Sequence, residues 1–282
     1  MLACPIPHVL LPTGAAMPQL GFGTYKVDPE VTFDVVSQAI ELGYRHIDTA
    51  QMYANEAQVG QAWEQSGLSR DQVFLTSKLN NGNHQPERAR DSFAQTLDDL
   101  RTDYVDLFLI HWPLPSLYDG DLMMPWRVLE EFFDQGRARA IGVSNFQPDH
   151  LKVLFNHAEI QPMVSQVEAH PYLPNNAVRD MARHAGMVTQ AWSPLARGRA
   201  AHDPLLASIG EKYGASASQV ALRWATMRGD VVFPKSLSVQ RQQENFMIFD
   251  YELSEQDMES ISALDEGEAG RTGSHPDTMN RL

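Results

Sequence analysis

The sequence has few of the features that mark secreted or membrane proteins. Its only cysteine is Cys4, so no internal disulfide can form, and this composition fits a reducing cytoplasm. No apolar run approaches the roughly 18 residues of a membrane span. The N-terminus lacks the basic start and long apolar stretch of a signal peptide. We therefore expect a cytoplasmic protein with no membrane partner.

Positive charge is also scarce. Lys and Arg number 22 against 36 Asp and Glu, which gives a formal net charge of −14. Such a surface repels phosphate backbones, and no concentrated basic patch is present, so nucleic acid is not an expected partner.

The pattern Gly-x-Gly-x-x-Gly after a strand is missing, since Gly21-Phe22-Gly23 is only a fragment, and this disfavours a Rossmann pyrophosphate site. No long coiled-coil pattern occurs, and we expect a monomer.

What the sequence does have is a regular alternation of short apolar runs and amphipathic stretches. A hairpin is predicted over 8–18, with its turn at 12–14. The eight strands predicted after it are 20–25, 46–50, 73–79, 104–112, 138–146, 163–170, 187–194 and 231–236. Helical patterns such as 31–42 and 56–66 separate them. Eight such units favour one α/β domain over residues 1–282, a (β/α)8 barrel of the TIM type that begins with a β-hairpin.

Polar residues collect at the ends of the predicted strands. A closed β/α barrel places its active site at the carboxyl ends of its strands, whereas surface solvation would scatter such residues. The polar and aromatic residues at these ends are Asp48, Lys78, His111, Ser144, Asn145, Gln166, Trp192, Ser193, Lys235 and Ser236.

Four residues could form a proton-transfer unit: Asp48, Tyr53, Lys78 and His111. Reduction of a carbonyl requires a hydride at carbon and a proton at oxygen, and a free tyrosine with a pKa of about 10 is a poor acid. An ammonium about 4 Å from the phenol oxygen interacts by about 4 kcal/mol at an effective dielectric near 20, which could lower that pKa by up to roughly 3. Lys78 could supply this charge, Asp48 would hold Lys78, and His111 could orient the substrate oxygen. Taken singly, each residue also has a structural explanation in packing or ion pairing.

Several stretches resemble the signatures of the aldo-keto reductase superfamily. The run 43–56, GYRHIDTAQMYANE, ending at Gly60, resembles its first signature. The stretches IGVSNF at 141–146 and PKS at 234–236, followed by Arg241, Glu244 and Asn245, resemble two others, and TSKL at 76–79 and LIHWP at 109–113 match the remaining catalytic segments. The resemblance implies a barrel that binds NADPH across its mouth, with Tyr53 as the acid, Lys78 and Asp48 tuning it, and His111 orienting the carbonyl.

The resemblance also implies a set of cofactor-binding residues. Ser144, Asn145 and Gln166 would bind the nicotinamide amide, Trp192 would stack on its ring, Ser193 and Leu195 would line the pyrophosphate path, Glu244 and Asn245 would meet the adenine, and Gly23, Thr24 and Asp48 would lie near the ribose. Independently of the resemblance, Lys235, Ser236 and Arg241 offer donors that suit a monoester phosphate such as the 2′-phosphate of NADPH. Relatives often carry a further arginine where Ser238 stands here, so some use of NADH is expected.

The substrate pocket is predicted between the loop 113–124 and the C-terminal tail 266–282, which should lie over the barrel mouth. Tyr25, Asn80, His111 and Trp112 are the predicted substrate-binding residues. The chain resembles the prokaryotic branch that contains 2,5-diketo-D-gluconate reductases, although those carry tryptophan where Asn80 stands. The expected substrates are small aldehydes, 2-oxo aldehydes, keto sugars or keto sugar acids.

Two other functions remain open on the sequence. A metal-dependent barrel hydrolase could use His46, Asp48, His111, Glu168 and His170 as ligands, but it leaves Tyr53 and Lys78 unexplained, and we expect no metal. A barrel that binds NADPH as a redox-sensing or regulatory protein would turn over slowly or not at all.

Overall fold

Strands and helices alternate along the chain as the hydrophobic pattern predicts. The computed structural model describes residues 5–282, and Cys4 lies outside them. The strands are β1 His8–Leu10, β2 Ala16–Pro18, β3 Phe22–Gly23, β4 His46–Asp48, β5 Phe74–Leu79, β6 Leu107–Ile110, β7 Ile141–Ser144, β8 Val164–Glu168, β9 Val188–Trp192 and β10 Val231–Val232. The α-helices are α1 Pro29–Leu42, α2 Glu56–Gln65, α3 Pro86–Asp99, α4 Met123–Asp134, α5 Pro148–His157, α6 Asn176–His184, α7 Pro204–Tyr213, α8 Ala217–Met227, α9 Val239–Phe246 and α10 Glu255–Ser262.

Strands β3 to β10 form one parallel sheet in sequence order. The sheet closes between its first and last strands, where Leu20 bridges Val232 in parallel. The Gly21 amide donates to the Val232 carbonyl at 2.9 Å, and the Val232 amide donates to the Gln19 carbonyl at 3.1 Å. The predicted (β/α)8 barrel is therefore confirmed, and the carboxyl ends of all eight strands meet at one mouth.

The N-terminal hairpin is the floor of this barrel. Strands β1 and β2 pair antiparallel, as predicted, and Leu11 and Met17 are buried beside them. Both side chains belong to an apolar cluster with residues of the barrel strands, among them Phe74 and Leu109. The hairpin thus closes the end of the barrel that faces away from the mouth.

Prolines and a glycine fix how the outer helices start and pack. Pro86 and Pro148 stand in the first turn of α3 and α5, as predicted, whereas Pro174 precedes the start of α6 by two residues. Gly60 of α2 lies against the end of α3, where a β-carbon would come within 2.1 Å of the Asp99 carbonyl oxygen. Only glycine permits this approach of the two helices.

No helix within residues 5–282 is long and apolar enough to cross a membrane.

The C-terminal tail lies over the barrel mouth, as predicted. Glu168, at the end of β8, accepts hydrogen bonds from the amide and the hydroxyl of Thr272 at 2.7 and 2.5 Å. It also accepts from the Gly273 amide at 3.0 Å. Further along, Met279 packs with Trp112. The tail is therefore anchored to the barrel at its near end and packs on the mouth at its far end.

Candidate active site

The four residues of the predicted proton-transfer unit lie together at the mouth. The Lys78 ammonium donates to Asp48 Oδ1 at 2.6 Å and to the Thr49 carbonyl at 2.8 Å. The Tyr53 hydroxyl oxygen is 3.5 Å from the same ammonium. The Tyr53 and His111 rings meet edge to face, with centroids 5.6 Å apart. Lys78 is fully buried, so this ion pair is held out of water.

The electrostatics of Tyr53 differ from the sequence-based expectation. Burial raises the pKa of Tyr53 well above its usual 10.0, and Asp48 and Tyr25 raise it further. The argument for a lowered pKa was wrong because it counted the charge of Lys78 and omitted burial and the carboxylate that neutralises that charge. Tyr53 is therefore a neutral phenol at pH 7, which is the protonated form that a proton donor requires.

His111 is also neutral. Burial lowers the pKa of His111 well below 6.5, and the nearby Lys78 lowers it further. The same burial lowers the pKa of Lys78, while Asp48 opposes this by favouring the ammonium. A neutral imidazole beside a neutral phenol can donate one hydrogen bond to a carbonyl oxygen without adding a charge to the pocket.

Asp48 is the upper end of a chain of polar contacts through the barrel interior. Gln166 Nε2 donates to Asp48 Oδ2 and to Gln190 Oε1, both at 2.8 Å. Gln190 Nε2 in turn donates to the Met17 sulfur at 3.2 Å. We call these four residues, Asp48, Gln166, Gln190 and Met17, the interior column. It fixes both the second oxygen of Asp48 and the amide of Gln166.

Asn145 ties three strand ends together. Its Nδ2 donates to the His111 carbonyl at 2.9 Å and to Ser144 Oγ at 3.1 Å, and its Oδ1 accepts from the Trp192 indole at 2.8 Å. The backbone of Asn145 is left-handed, with φ 64°, a conformation that asparagine tolerates well. The half-buried Trp192 also packs against Gly273, where a β-carbon would come within 2.4 Å of its ring.

Sequence reasoning missed Asn55, which secures the loop that carries Tyr53. Its Oδ1 accepts from the Thr49 hydroxyl at 3.0 Å and from the Thr24 hydroxyl at 3.4 Å. Its Nδ2 donates to the Thr24 carbonyl at 3.1 Å. The backbone of Gly23, the residue before Thr24, lies close to Phe233, since a β-carbon at Gly23 would be 3.0 Å from the Phe233 carbonyl oxygen. The signal for Asn55 was its place in the signature run, two residues after Tyr53.

Glu56 is a second buried polar residue without a predicted role. It accepts from Ser77 Oγ at 2.5 Å and from Thr96 Oγ1 at 3.2 Å. Burial raises the pKa of Glu56 to about 7, although both hydrogen bonds and Lys78 oppose this. A carboxyl group with a pKa near neutral therefore lies between α2, β5 and α3, close enough to Lys78 to feel its charge.

The predicted phosphate-binding residues border one surface pocket. The pocket has a volume of about 430 Å³ and is lined by Lys235, Ser236, Leu237, Ser238 and Arg241. Ser238 caps α9 by accepting from the Arg241 amide, so the positive end of this helix faces the same place. Two cations and a helix N-terminus meet there in a chain with net charge −14.

The remaining predicted cofactor residues follow β9 or stand near the end of α9. Ser193 follows β9 in a left-handed conformation, with φ 48°, and Leu195 is partly buried against the core. Asn245 is buried near Tyr44, and the Glu244 carbonyl accepts from Gln219 at 2.8 Å.

Of the predicted substrate residues, Tyr25 and His111 contact Tyr53, and Asn80 and Trp112 follow the carboxyl ends of β5 and β6. The exposed ring of Tyr25 lies 5.2 Å from the Tyr53 ring. The backbone amide of Asn80 donates to Gln51 Oε1 at 2.8 Å, and this bond holds the loop after β5 against the loop after β4. Trp112 is buried beneath Met279. The structure therefore brings Tyr25, Asn80 and Trp112 to the mouth that also holds His111.

The ligand set considered for a metal-dependent hydrolase does not assemble. Both ring nitrogens of His46 are occupied, one 3.1 Å from the Pro18 carbonyl and the other 3.0 Å from Thr76 Oγ1. Glu168 and His170 bond each other at 3.2 Å, and Glu168 also binds the tail. Across residues 5–282, no group of three or more His, Cys, Asp or Glu side chains is disposed to hold a metal ion.

The sequence profile described as the aldo/keto reductase family matches residues 18–266. This chain belongs to that family. As an aldo/keto reductase, it is an oxidoreductase that reduces carbonyl groups.

Known members of the family cover nearly the whole chain. Glyoxal reductase of Bacillus subtilis (strain 168) is 44% identical over 273 residues, which is 96% of either chain. A solved structure described as a "putative 2,5-diketo-D-gluconic acid reductase B" has a TM-score of 0.92 at 36% identity and covers 98% of both chains. A mutant of Gox0644 solved in complex with NADPH has a TM-score of 0.93 at 34% identity, over 98% of this chain and 99% of that one. The resemblance to the branch of 2,5-diketo-D-gluconate reductases is thus confirmed.

Proposed function

We propose that this aldo/keto reductase uses NADPH to reduce small aldehydes, 2-oxo aldehydes or keto sugars to alcohols, with Tyr53 as the proton donor. The observation that carries the proposal is the contact of the buried Lys78 ammonium with both Asp48 and the Tyr53 hydroxyl, at 2.6 and 3.5 Å. Glyoxal reductase of Bacillus subtilis, 44% identical, supports the substrate class.

The residues at the mouth fit NADPH in two places. Gln166 spends both amide hydrogens on Asp48 and Gln190, which leaves its Oε1 to accept from a carboxamide such as that of nicotinamide. The half-exposed Trp192 beside it offers an aromatic face. At the other end, Lys235 and Arg241 border a pocket suited to a phosphate dianion, and the complex of a relative with NADPH supports this cofactor.

The chemistry requires one proton and one hydride. When bound, NADPH supplies the hydride to the carbonyl carbon. Neutral His111 donates a hydrogen bond to the carbonyl oxygen and orients it toward Tyr53. As negative charge develops on that oxygen, Tyr53 gives up its proton, and the Lys78 ammonium stabilises the phenolate that forms. Asp48 keeps Lys78 charged and in place throughout.

The test is NADPH oxidation with methylglyoxal, glyceraldehyde, an aromatic aldehyde and a keto-gluconate, for the parent protein and for Tyr53→Phe. Loss of the general acid should lower kcat by at least about a hundred-fold. Quenching of tryptophan fluorescence by NADPH should persist in the variant, because the phenol hydroxyl is not a cofactor ligand. A variant that keeps the activity of the parent would refute the role of Tyr53. Cofactor binding without any turnover by the parent would favour a regulatory barrel instead.

A further inference from the structure

Glu56 is a buried carboxyl group that the proposed mechanism does not use. It stands in the first turn of α2, three residues after Tyr53. A carboxyl group held out of water lowers stability unless it is hydrogen-bonded, so its partners indicate its role. They are the hydroxyl groups of Ser77 on β5, at 2.5 Å, and of Thr96 on α3, at 3.2 Å. Ser77 directly precedes Lys78, so Glu56 ties the end of the loop that carries Tyr53 to the strand that carries the ammonium.

Gln51 makes the matching connection at the start of the same loop. It begins the turn Gln51–Tyr53, and its Oε1 accepts from the backbone amide of Asn80 at 2.8 Å. Its Nε2 donates to Thr96 Oγ1 at 3.0 Å. Asn80 lies two residues beyond Lys78. The loop is therefore bonded to the chain on both sides of Lys78.

The buried Thr96 hydroxyl joins these two connections. A threonine hydroxyl inside a helix commonly bonds a carbonyl of the preceding turn, but that of Thr96 donates to Glu56 and accepts from Gln51. We call Glu56, Thr96 and Gln51 the outer clamp. Its bonds close a ring with the backbone of 77–80, and the members of this ring in order are Ser77, Glu56, Thr96, Gln51 and Asn80.

We propose that the outer clamp sets the distance between the Tyr53 hydroxyl and the Lys78 ammonium, so that its three members are positioning residues for the proton transfer. This distance is 3.5 Å. The ammonium stabilises the phenolate as it forms, and at an effective dielectric of about 20 a widening of about 1 Å would slow the transfer about six-fold. The inference rests on the proposed role of Tyr53 as proton donor, and it adds residues that act through Tyr53 and Lys78 rather than on the substrate.

Thr96→Val tests the outer clamp, because valine fills the same space and removes the hydroxyl that joins its two arms. The rate of NADPH oxidation is measured in a single turnover of the NADPH-loaded protein with methylglyoxal, and the affinity for NADPH is measured by quenching of tryptophan fluorescence. We expect the single-turnover rate to fall by about three- to ten-fold, while the Kd for NADPH stays within about two-fold of that of the parent. Thr96→Ser restores the hydroxyl and should return the rate to within about two-fold of the parent.

Thr226→Val is the matched control. Thr226 is also buried in a helix, α8, and its hydroxyl donates to the Arg223 carbonyl at 3.0 Å, away from the outer clamp. This variant should keep the single-turnover rate of the parent. Gln51→Ala, at a partly buried position, releases the other arm of the clamp and should slow the reaction in the same direction as Thr96→Val. If Thr96→Val does not fold, the rate of Gln51→Ala decides.

Three results would overturn the inference. The first is a parent-like rate in both Thr96→Val and Gln51→Ala. The second is a rate of Thr96→Ser as low as that of Thr96→Val, because it would indicate packing rather than hydrogen bonding. The third is an equal loss in Thr226→Val. A parent that oxidises no NADPH would instead overturn the proposed function, and the inference with it, before any variant is made.

Discussion

Glu56→Gln should change how the stability of this protein depends on pH. Glu56 is buried, and its folded-state pKa is about 7 against an ordinary value of 4.5. Between these values the folded state keeps a proton that the unfolded chain has released. Because the folded pKa is the higher one, the contribution of Glu56 to stability is present below about pH 4.5 and is lost as the pH rises through about 7.

The size of the effect follows from that difference in pKa. One pH unit corresponds to about 1.4 kcal/mol, so the contribution of Glu56 to the free energy of unfolding falls by about 2.5 kcal/mol between pH 5 and pH 8. Glutamine has the same shape and can still accept from Ser77, but it does not ionise. The free energy of unfolding of the variant, relative to that of the parent, should therefore rise by about 2.5 kcal/mol between pH 5 and pH 8. His46 and His84, with pKa values lowered to about 3 and about 4, stabilise the fold as the pH rises, but they are common to both proteins and cancel.

The assay is urea unfolding followed by tryptophan fluorescence, for both proteins at about pH 5 and about pH 8. Glu131→Gln is the control, because Glu131 is exposed and its bond to Arg90 lowers its pKa. For this variant, the change in the free energy of unfolding between the two pH values, relative to the parent, should be small and of opposite sign. If the free energies of unfolding of Glu56→Gln and the parent differ by the same amount at both pH values, within about 0.5 kcal/mol, the reasoning is refuted.

Two further changes test the packing of the barrel and the cofactor assignment. Gly60→Ala should lower the free energy of unfolding by about 1–3 kcal/mol, because its β-carbon would overlap the Asp99 carbonyl. Gly82→Ala is the control and should have little effect, because no atom lies within 4 Å of the added β-carbon. Equal effects of the two substitutions would contradict the packing argument. Arg241→Ala should raise the KM for NADPH by about ten-fold and leave the KM for NADH unchanged, because only NADPH carries the 2′-phosphate. The parent should prefer NADPH, and a clear preference for NADH in steady-state kinetics would refute the phosphate site.

Hydrophobic periodicity located every barrel strand but made most of them too long. The strand predicted over 138–146 is sheet only at Ile141–Ser144, because Asn145 turns into a left-handed conformation and leaves the ladder. Periodicity reports which residues are buried, and the first residues beyond a barrel strand are as buried as the strand itself. The bonds between Glu168 and Thr272 could not be predicted, since they join positions far apart in the sequence. A single domain over 1–282, a monomeric state and a cytoplasmic location stay predictions.

The candidate site was predictable where chemistry coincided with strand ends. Asp48, Lys78 and His111 all follow that rule, so their meeting at the mouth was predictable from topology alone. The pKa of Tyr53 was not, because it depends on burial and on how completely Asp48 neutralises Lys78. Nothing in a single sequence reports those two quantities.

The interior column links the hairpin to the candidate active site at the opposite end of the molecule. Met17 holds Gln190, Gln190 orients Gln166, and Gln166 fixes the second oxygen of Asp48. Floor and mouth are therefore not separable modules for engineering. A hairpin grafted from another barrel would have to present an acceptor at position 17, because otherwise the buried Gln190 Nε2 would lose its hydrogen-bond partner on the floor.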